Sequence, residues 1–183
     1  MNLRKVDAAS DPVLLEKVHH LYLTAFPKEE RIPWFLVRLN VLRKDVDLTA
    51  FLDGDVFCGF TYSVTCGDHH FLLFFAVEEN LRSRGYGSAI LSLLKETYAS
   101  VSLNIETLTE DAPNLPERQH RYGFYRHNGF HDTGYHVWEV GGMFRILSTN
   151  PELDIPGYRK FFLKLTFGLW RVRIEKAEGS LYG

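Results

Sequence analysis

Arg82-Ser83-Arg84-Gly85-Tyr86-Gly87 follows an apolar, strand-like run from His70 to Val77 and precedes a helix-like stretch from Ser88 to Tyr98. A strand, a glycine turn and a helix in that order form a cradle for phosphate. Glycines at 85 and 87 permit positive φ and carry no Cβ to block an anion, and the first-turn amides of a following helix have no partner within it. The stretch lacks the Lys-Ser/Thr ending of a triphosphate loop and the Gly-x-Gly-x-x-Gly of a dinucleotide fold. It suits a coenzyme that carries a pyrophosphate and an extended tail.

Upstream of the turn, residues 2 to 7 read as a short strand, and Asp11-Pro12 opens a helix whose apolar positions are Leu14, Val18, Leu21 and Tyr22, stopped by Pro27. A charged bridge from Lys28 to Arg31 leads into a second amphipathic helix with Trp34, Leu36, Val37, Leu39 and Leu42, so the pair is expected to form a lid or wall. Leu48 to Leu52 and Val56 to Val64 are strands joined at Asp53-Gly54-Asp55, and Gly67-Asp68 turns the chain into the His70 to Val77 strand, giving three antiparallel strands. The third is apolar on both faces and belongs in a sheet interior.

Downstream, a helix carries Ile90, Leu91, Leu94 and Tyr98, and Val101 to Leu108 alternates as a strand. Asn114 caps a helix with Pro116 in its first turn and a left-handed stop at Asn128-Gly129, and residues 130 to 140 and 143 to 148 form a hairpin about Gly141-Gly142. In the tail, Ile155-Pro156-Gly157 starts a short helix that ends at Gly168. Trp170, Val172 and Ile174 then alternate with Arg171, Arg173 and Glu175 as in a strand.

At 183 residues the chain is sized for one domain. A core of this length buries roughly 70% of the unfolded surface without metal or disulfide staples. Two cysteines, Cys58 and Cys66, suit a reducing compartment, and the expected location is the cytoplasm. No run reaches the roughly 18 to 20 apolar residues of a membrane span. A net charge of −2 supplies no field that would draw nucleic acid. Of the eight histidines, His19-His20 and His69-His70 are adjacent pairs that diverge on a regular element, and His120 and His127 lie about two turns apart on one helix. No metal is expected.

The order strand, Arg-x-x-Gly-x-Gly turn, helix, strand, helix, hairpin resembles the GNAT superfamily of acyl-CoA-dependent N-acetyltransferases. Val77 to Leu91 lies on that family's coenzyme A motif without a gap, and Tyr125-Arg126-His127-Asn128-Gly129-Phe130 matches its later Tyr-x-x-x-Gly-Phe element. The resemblance covers residues 2 to 148. It implies an α/β (α+β) fold with a mixed, mostly antiparallel central sheet of six to seven strands flanked by helices. The expected organisation is a GNAT-like domain at 1–148 with a C-terminal extension at 149–183 packed on it. Glu79 stands where many members have Pro, and Arg118 and Arg121 stand where many have Asn and a small apolar residue.

The co-substrate implied is acetyl-CoA. Its binding residues would be Phe75, Ala76 and Val77, whose backbone pairs with the pantetheine tail and could hold an oxyanion, and the turn Arg82, Ser83, Arg84, Gly85, Tyr86, Gly87 and Ser88. Arg118 and Arg121 share a helical face with Tyr125 and are candidates either for phosphate or anionic-substrate contacts or for structural pairing. Acyl transfer to an amine needs a neutral nucleophile and a proton for the leaving thiolate. Tyr125, at the position where the family has a Tyr, is the candidate general acid, and Glu106 is the first candidate base. Glu29, Glu30, Glu110 and Asp111 are weaker base candidates on loops.

The acceptor is a small-molecule or peptide amine of unread identity. Phe26, Trp34 and Phe35 hint at apolar parts in it, and Glu29 and Glu30 at a cation. No nucleic-acid partner is expected, and a homodimer contact through the cationic, aromatic tail stays open. The alternative is a CoA-binding sensor or interaction module that has lost turnover.

Overall fold

The computed structural model describes residues 1–112, 114–139, 142–150, 152–166 and 172–177. Two compact units are present: residues 1–65 with 72–97, and residues 66–71 with the described residues from 98 onward.

The first unit holds β1 (Leu3–Asp7), α1 (Pro12–Ala25), α2 (Trp34–Asn40), β2 (Val46–Asp53), most of β3 (Val56–Cys66), the later part of β4 (His69–Val77) and α3 (Tyr86–Thr97). Hydrogen-bonded neighbours run β1-β2-β3-β4. Leu3 is opposite Asp53 and Asp7 opposite Thr49 in the antiparallel β1–β2 pair, and a register shift at Phe51/Leu52 interrupts β2–β3. Asp11 begins α1 by accepting from the amides of Val13 at 2.9 Å and Leu14 at 3.1 Å, two of the donors a helix start leaves unpaired. The face so oriented buries Leu14, Val18, Leu21 and Tyr22. Tyr22 lies edge-on to Phe74 at 4.9 Å, and its hydroxyl donates to the Ile32 carbonyl, so a buried phenol keeps a partner. Helix α2 is shorter than its apolar spacing suggests: it stops at Asn40, and Leu42 beyond it is 80% exposed.

The second unit holds β5 (Ser100–Glu106), α4 (Leu115–His127), β6 (His131–Glu139), β7 (Gly142–Ser148), α5 (Ile155–Leu165) and β8 (Arg173–Lys176), with strand neighbours β5-β7-β6-β8. All three pairings are antiparallel. Eight strands are thus described where six to seven were expected, the tail strand β8 pairing with β6 through Val137 and Ile174. Helix α5 packs an aromatic face, Tyr158, Phe161 and Phe162, on Phe71 at the start of β4, with the Phe71 and Phe161 rings stacked at 4.0 Å. The expected helix stop at Gly168 and the strand positions Trp170 and Arg171 lie outside the described residues.

Helix α4 ends in a Schellman motif. Gly129 takes φ of +83°, its amide donates to Arg126, and the Phe130 amide reaches back to the Tyr125 carbonyl, both at 3.1 Å. The Phe130 ring then meets the Tyr125 ring at 5.6 Å, the apolar contact that accompanies this stop. The Tyr-x-x-x-Gly-Phe spacing therefore has a local cause: it places an aromatic side chain one turn before a left-handed glycine and another just after it. Among the described residues, no helix is long and apolar enough to cross a membrane.

Candidate active site

In the first unit, β4 alternates buried Leu72, Phe74 and Ala76 with half-buried Leu73, Phe75 and Val77 before the chain turns. A single 3₁₀ turn, Glu79–Leu81, buries Leu81 and delivers Arg82 to the surface. Arg82 Nε donates back to the Val77 carbonyl at 3.3 Å. Arg82, Ser83, Arg84 and Gly85 are all exposed, and Tyr86, Gly87 and Ser88 are half-buried.

Positive φ falls at Gly85, +86°, and at Ser83, +59°. Gly87 differs from expectation: α3 begins at Tyr86 rather than Ser88, so Gly87 is its second residue and does not take a positive φ. Left-handed residues alternating with others are the backbone of amide nests, and the first-turn amides of α3 add further donors. An exposed turn of this conformation, flanked by Arg82 and Arg84, fits a diphosphate chemically.

Two residues that sequence reading missed support this segment. Gly59 on β3 lies against Ala76: a Cβ there would stand 2.3 Å from the Ala76 carbonyl oxygen. An isolated glycine inside a strand was the available signal. Asp53, read only as a turn residue, accepts the Tyr86 hydroxyl at 3.0 Å.

In the second unit, Glu106 closes β5, and α4 brings two arginines to it. Arg121 Nη1 donates to Glu106 Oε2 in a close ion pair, and Arg118 Nε stands 4.0 Å from Oε1. Arg118 also donates from Nε to Asn114 Oδ1 at 2.8 Å and from Nη1 to the Thr107 carbonyl at 2.9 Å. Asn114, the residue before α4, thereby spends its side chain on Arg118 instead of on a helix amide. Both arginines are held by protein groups. Tyr125 lies on the same face, 9% exposed, and burial pushes its phenol up to about 12, with Arg121 lowering and Glu106 raising it as smaller influences. Such a hydroxyl stays protonated and serves as a donor.

Glu29 and Glu30 occupy a 3₁₀ turn of the first unit, and Glu110 and Asp111 are exposed beyond β5. A partly buried polar chain that sequence reading did not find begins on β5 two residues before Glu106: Tyr158 donates to Asn104 Oδ1 at 2.6 Å, and Asn104 Nδ2 donates to Glu139.

Residues 15–130 match the family model described as Acetyltransferase (GNAT) family. No curated protein matches the chain. Among solved structures, a GNAT-family acetyltransferase from Bacteroides thetaiotaomicron superposes with a TM-score of 0.71 at 20% identity, over 93% of this chain and all of that one. An aminoglycoside 6'-N-acetyltransferase in complex with coenzyme A gives 0.65 at 18% identity, over 84% of this chain and 100% of the other. The ribosomal-protein-S18-alanine N-acetyltransferase of Escherichia coli gives 0.59 at 16%, over 84% and 96%. At such identities the likeness is one of fold.

Proposed function

Because the chain belongs to the Acetyltransferase (GNAT) family, we propose that it is an N-acetyltransferase that moves the acetyl group of acetyl-CoA to a primary amine by direct attack in a ternary complex. The observation that carries this reading is the exposed turn at 82–85, with left-handed Ser83 and Gly85 opening directly onto the first turn of α3. Arg82, Ser83, Arg84, Gly85, Tyr86, Gly87 and Ser88 would take the pyrophosphate on backbone amides, with Phe75, Ala76 and Val77 offering backbone groups to the extended arm.

In the step proposed, the amine nitrogen bonds to the thioester carbonyl carbon, the carbon–sulfur bond breaks, and the electron pair leaves on sulfur. The nitrogen's surplus proton goes to a base and the thiolate gains a proton or a hydrogen bond. Tyr125 is assigned to the thiolate. With its phenol at about 12 against a thiol reference near ~8.5, it stabilises the developing charge mainly by donating a hydrogen bond, and full transfer is uphill. Glu106 is assigned to the amine proton through Oε1, since Arg121 occupies Oε2. Arg118 and Arg121 then act first as the frame of that carboxylate.

The acceptor is a small-molecule or peptide amine, and both an aminoglycoside and a ribosomal-protein enzyme occur among the structural neighbours. Two free thiols, Cys58 buried and Cys66 half-buried, suit action in the cytoplasm. The test is release of free CoA thiol when purified protein meets acetyl-CoA and a broad amine panel. Amine-dependent release supports the reading. If acetyl-CoA raises the Tm while no amine releases thiol, the protein is a CoA-binding module and the enzyme assignment fails.

A further inference from the structure

Asp53 is the last residue of β2, held in register opposite Leu3 of β1 and followed by the left-handed Gly54 of the hairpin. Two donors from different parts of the unit converge on its carboxylate. The Asn2 amide donates to Oδ1 at 3.0 Å, and the Tyr86 hydroxyl donates to Oδ2 at 3.0 Å. Strand pairing and the Asn2 bond thus fix the acceptor, and the Tyr86 bond fastens a second element to it.

That second element is the coenzyme turn. Tyr86 is the first residue of α3 and stands between Gly85 and Gly87, where the backbone has the least intrinsic restraint of any residue type. A side-chain tether on the residue between two glycines therefore removes freedom that the glycines themselves leave. Both partners titrate as this bond requires: the Asp53 carboxyl is held below its usual range by the Asn2 amide and then the Tyr86 hydroxyl, and the Tyr86 phenol is raised by Asp53.

We infer that Asp53 is a positioning residue for coenzyme A: by accepting the Tyr86 hydroxyl it pre-organises the turn at 83–87, so that its amides are already aimed when the diphosphate arrives. This rests on the acyl-CoA reading above and assigns to the tip of the β2–β3 hairpin a part in coenzyme affinity. Pre-organisation acts by reducing the ordering cost of binding, so it should appear in the dissociation constant and leave the chemical step alone.

The test compares wild type with Asp53→Ala, Tyr86→Phe and the double variant. Coenzyme A binding is read by titration calorimetry and backbone amide exchange in the ligand-free protein. Tyr86→Phe keeps the ring and removes only the tether, so it serves even where Asp53→Ala disturbs the fold. Each single variant is expected to weaken CoA binding about tenfold, the low end of what one hydrogen bond to a charged group contributes. The double variant should be no weaker than either single one. The Ala89 amide, which donates to the Gly85 carbonyl at 3.0 Å, should exchange faster in Tyr86→Phe while those of β2 and β3 keep their protection. Wild-type affinity and exchange in Tyr86→Phe overturn the inference, as do losses that multiply in the double variant. Failure of wild type itself to bind CoA overturns the acyltransferase reading and this inference with it.

Discussion

Tyr158 donates its hydroxyl to Asn104 Oδ1 at 2.6 Å, tying helix α5 to strand β5 across 54 residues of chain. Burial raises the phenol well above its ordinary range, so the donor keeps its proton at any workable pH. Tyr158→Phe should retain the packing of the ring with Phe71, Phe161 and Phe162 and lose only this bond. A stability loss of about 1–2 kcal/mol is expected from urea unfolding, with an unchanged m-value. An unaltered midpoint would show that water replaces the bond without cost.

Glycine 59 and glycine 123 should respond oppositely to alanine. At 59 the new Cβ meets the Ala76 carbonyl oxygen at 2.3 Å and the Val77 Cα at 3.1 Å, both backbone atoms that cannot swing aside. Gly59→Ala is expected to cost about 1–3 kcal/mol or more and to weaken CoA binding by displacing Ala76 and Val77. Gly123 lies within α4 with open space about it, and Gly123→Ala should stabilise by about 0.5–1 kcal/mol. Thermal unfolding of the two variants decides the matter, and equal Tm values would refute the packing account.

The signals that were legible in sequence are the ones with short-range causes. Asp11-Pro12 started a helix because a carboxylate can reach amides two and three residues on, and Tyr125-x-x-x-Gly129-Phe130 closed one because a left-handed glycine folds the chain back upon itself. What sequence concealed depends on distant partners. Gly59 is informative only once Ala76 lies beside it, Asp53 only once Tyr86 reaches it, and Arg118 and Arg121 only once Glu106 is seen to receive them. The left-handed Ser83 is a further case, since serine carries no compositional mark of positive φ. The strand order β5-β7-β6-β8 is non-sequential, and the tail's alternation could not disclose that β8 would pair with β6.

Alkaline pH should destabilise the protein through its buried phenols. Tyr22, Tyr62, Tyr125 and Tyr158 are all raised, with burial the first cause in each. Below pH ~10 both folded and unfolded states hold these protons and stability does not vary on their account. Above that value the unfolded chain releases protons that the folded one retains, so stability falls as pH rises toward the folded values. Tyr125, at about 12, would alone forfeit on the order of 2–3 kcal/mol across the interval. Tyr125→Phe should flatten part of that slope in denaturation measured between pH 9 and 12, and an unchanged slope would mean that the phenol opens to solvent first.

Glu106 and Arg121 offer the sharpest separation of chemistry from scaffolding. If Glu106 takes the amine proton, Glu106→Gln should lower kcat about a hundredfold while KM for acetyl-CoA holds. Glutamine can still accept from Arg121, so the frame survives. Arg121→Ala leaves the carboxylate in place with Arg118 still 4.0 Å away, and its kcat should drop far less. Tyr125→Phe should also reduce kcat by about tenfold to a hundredfold at unchanged acetyl-CoA affinity, because a donor to the leaving thiolate contributes only as charge develops on sulfur. Steady-state kinetics with the best amine of the panel tests all three. Equal losses of kcat in Glu106→Gln and Arg121→Ala would reduce Glu106 to an anchor for the α4 arginines and move the base elsewhere.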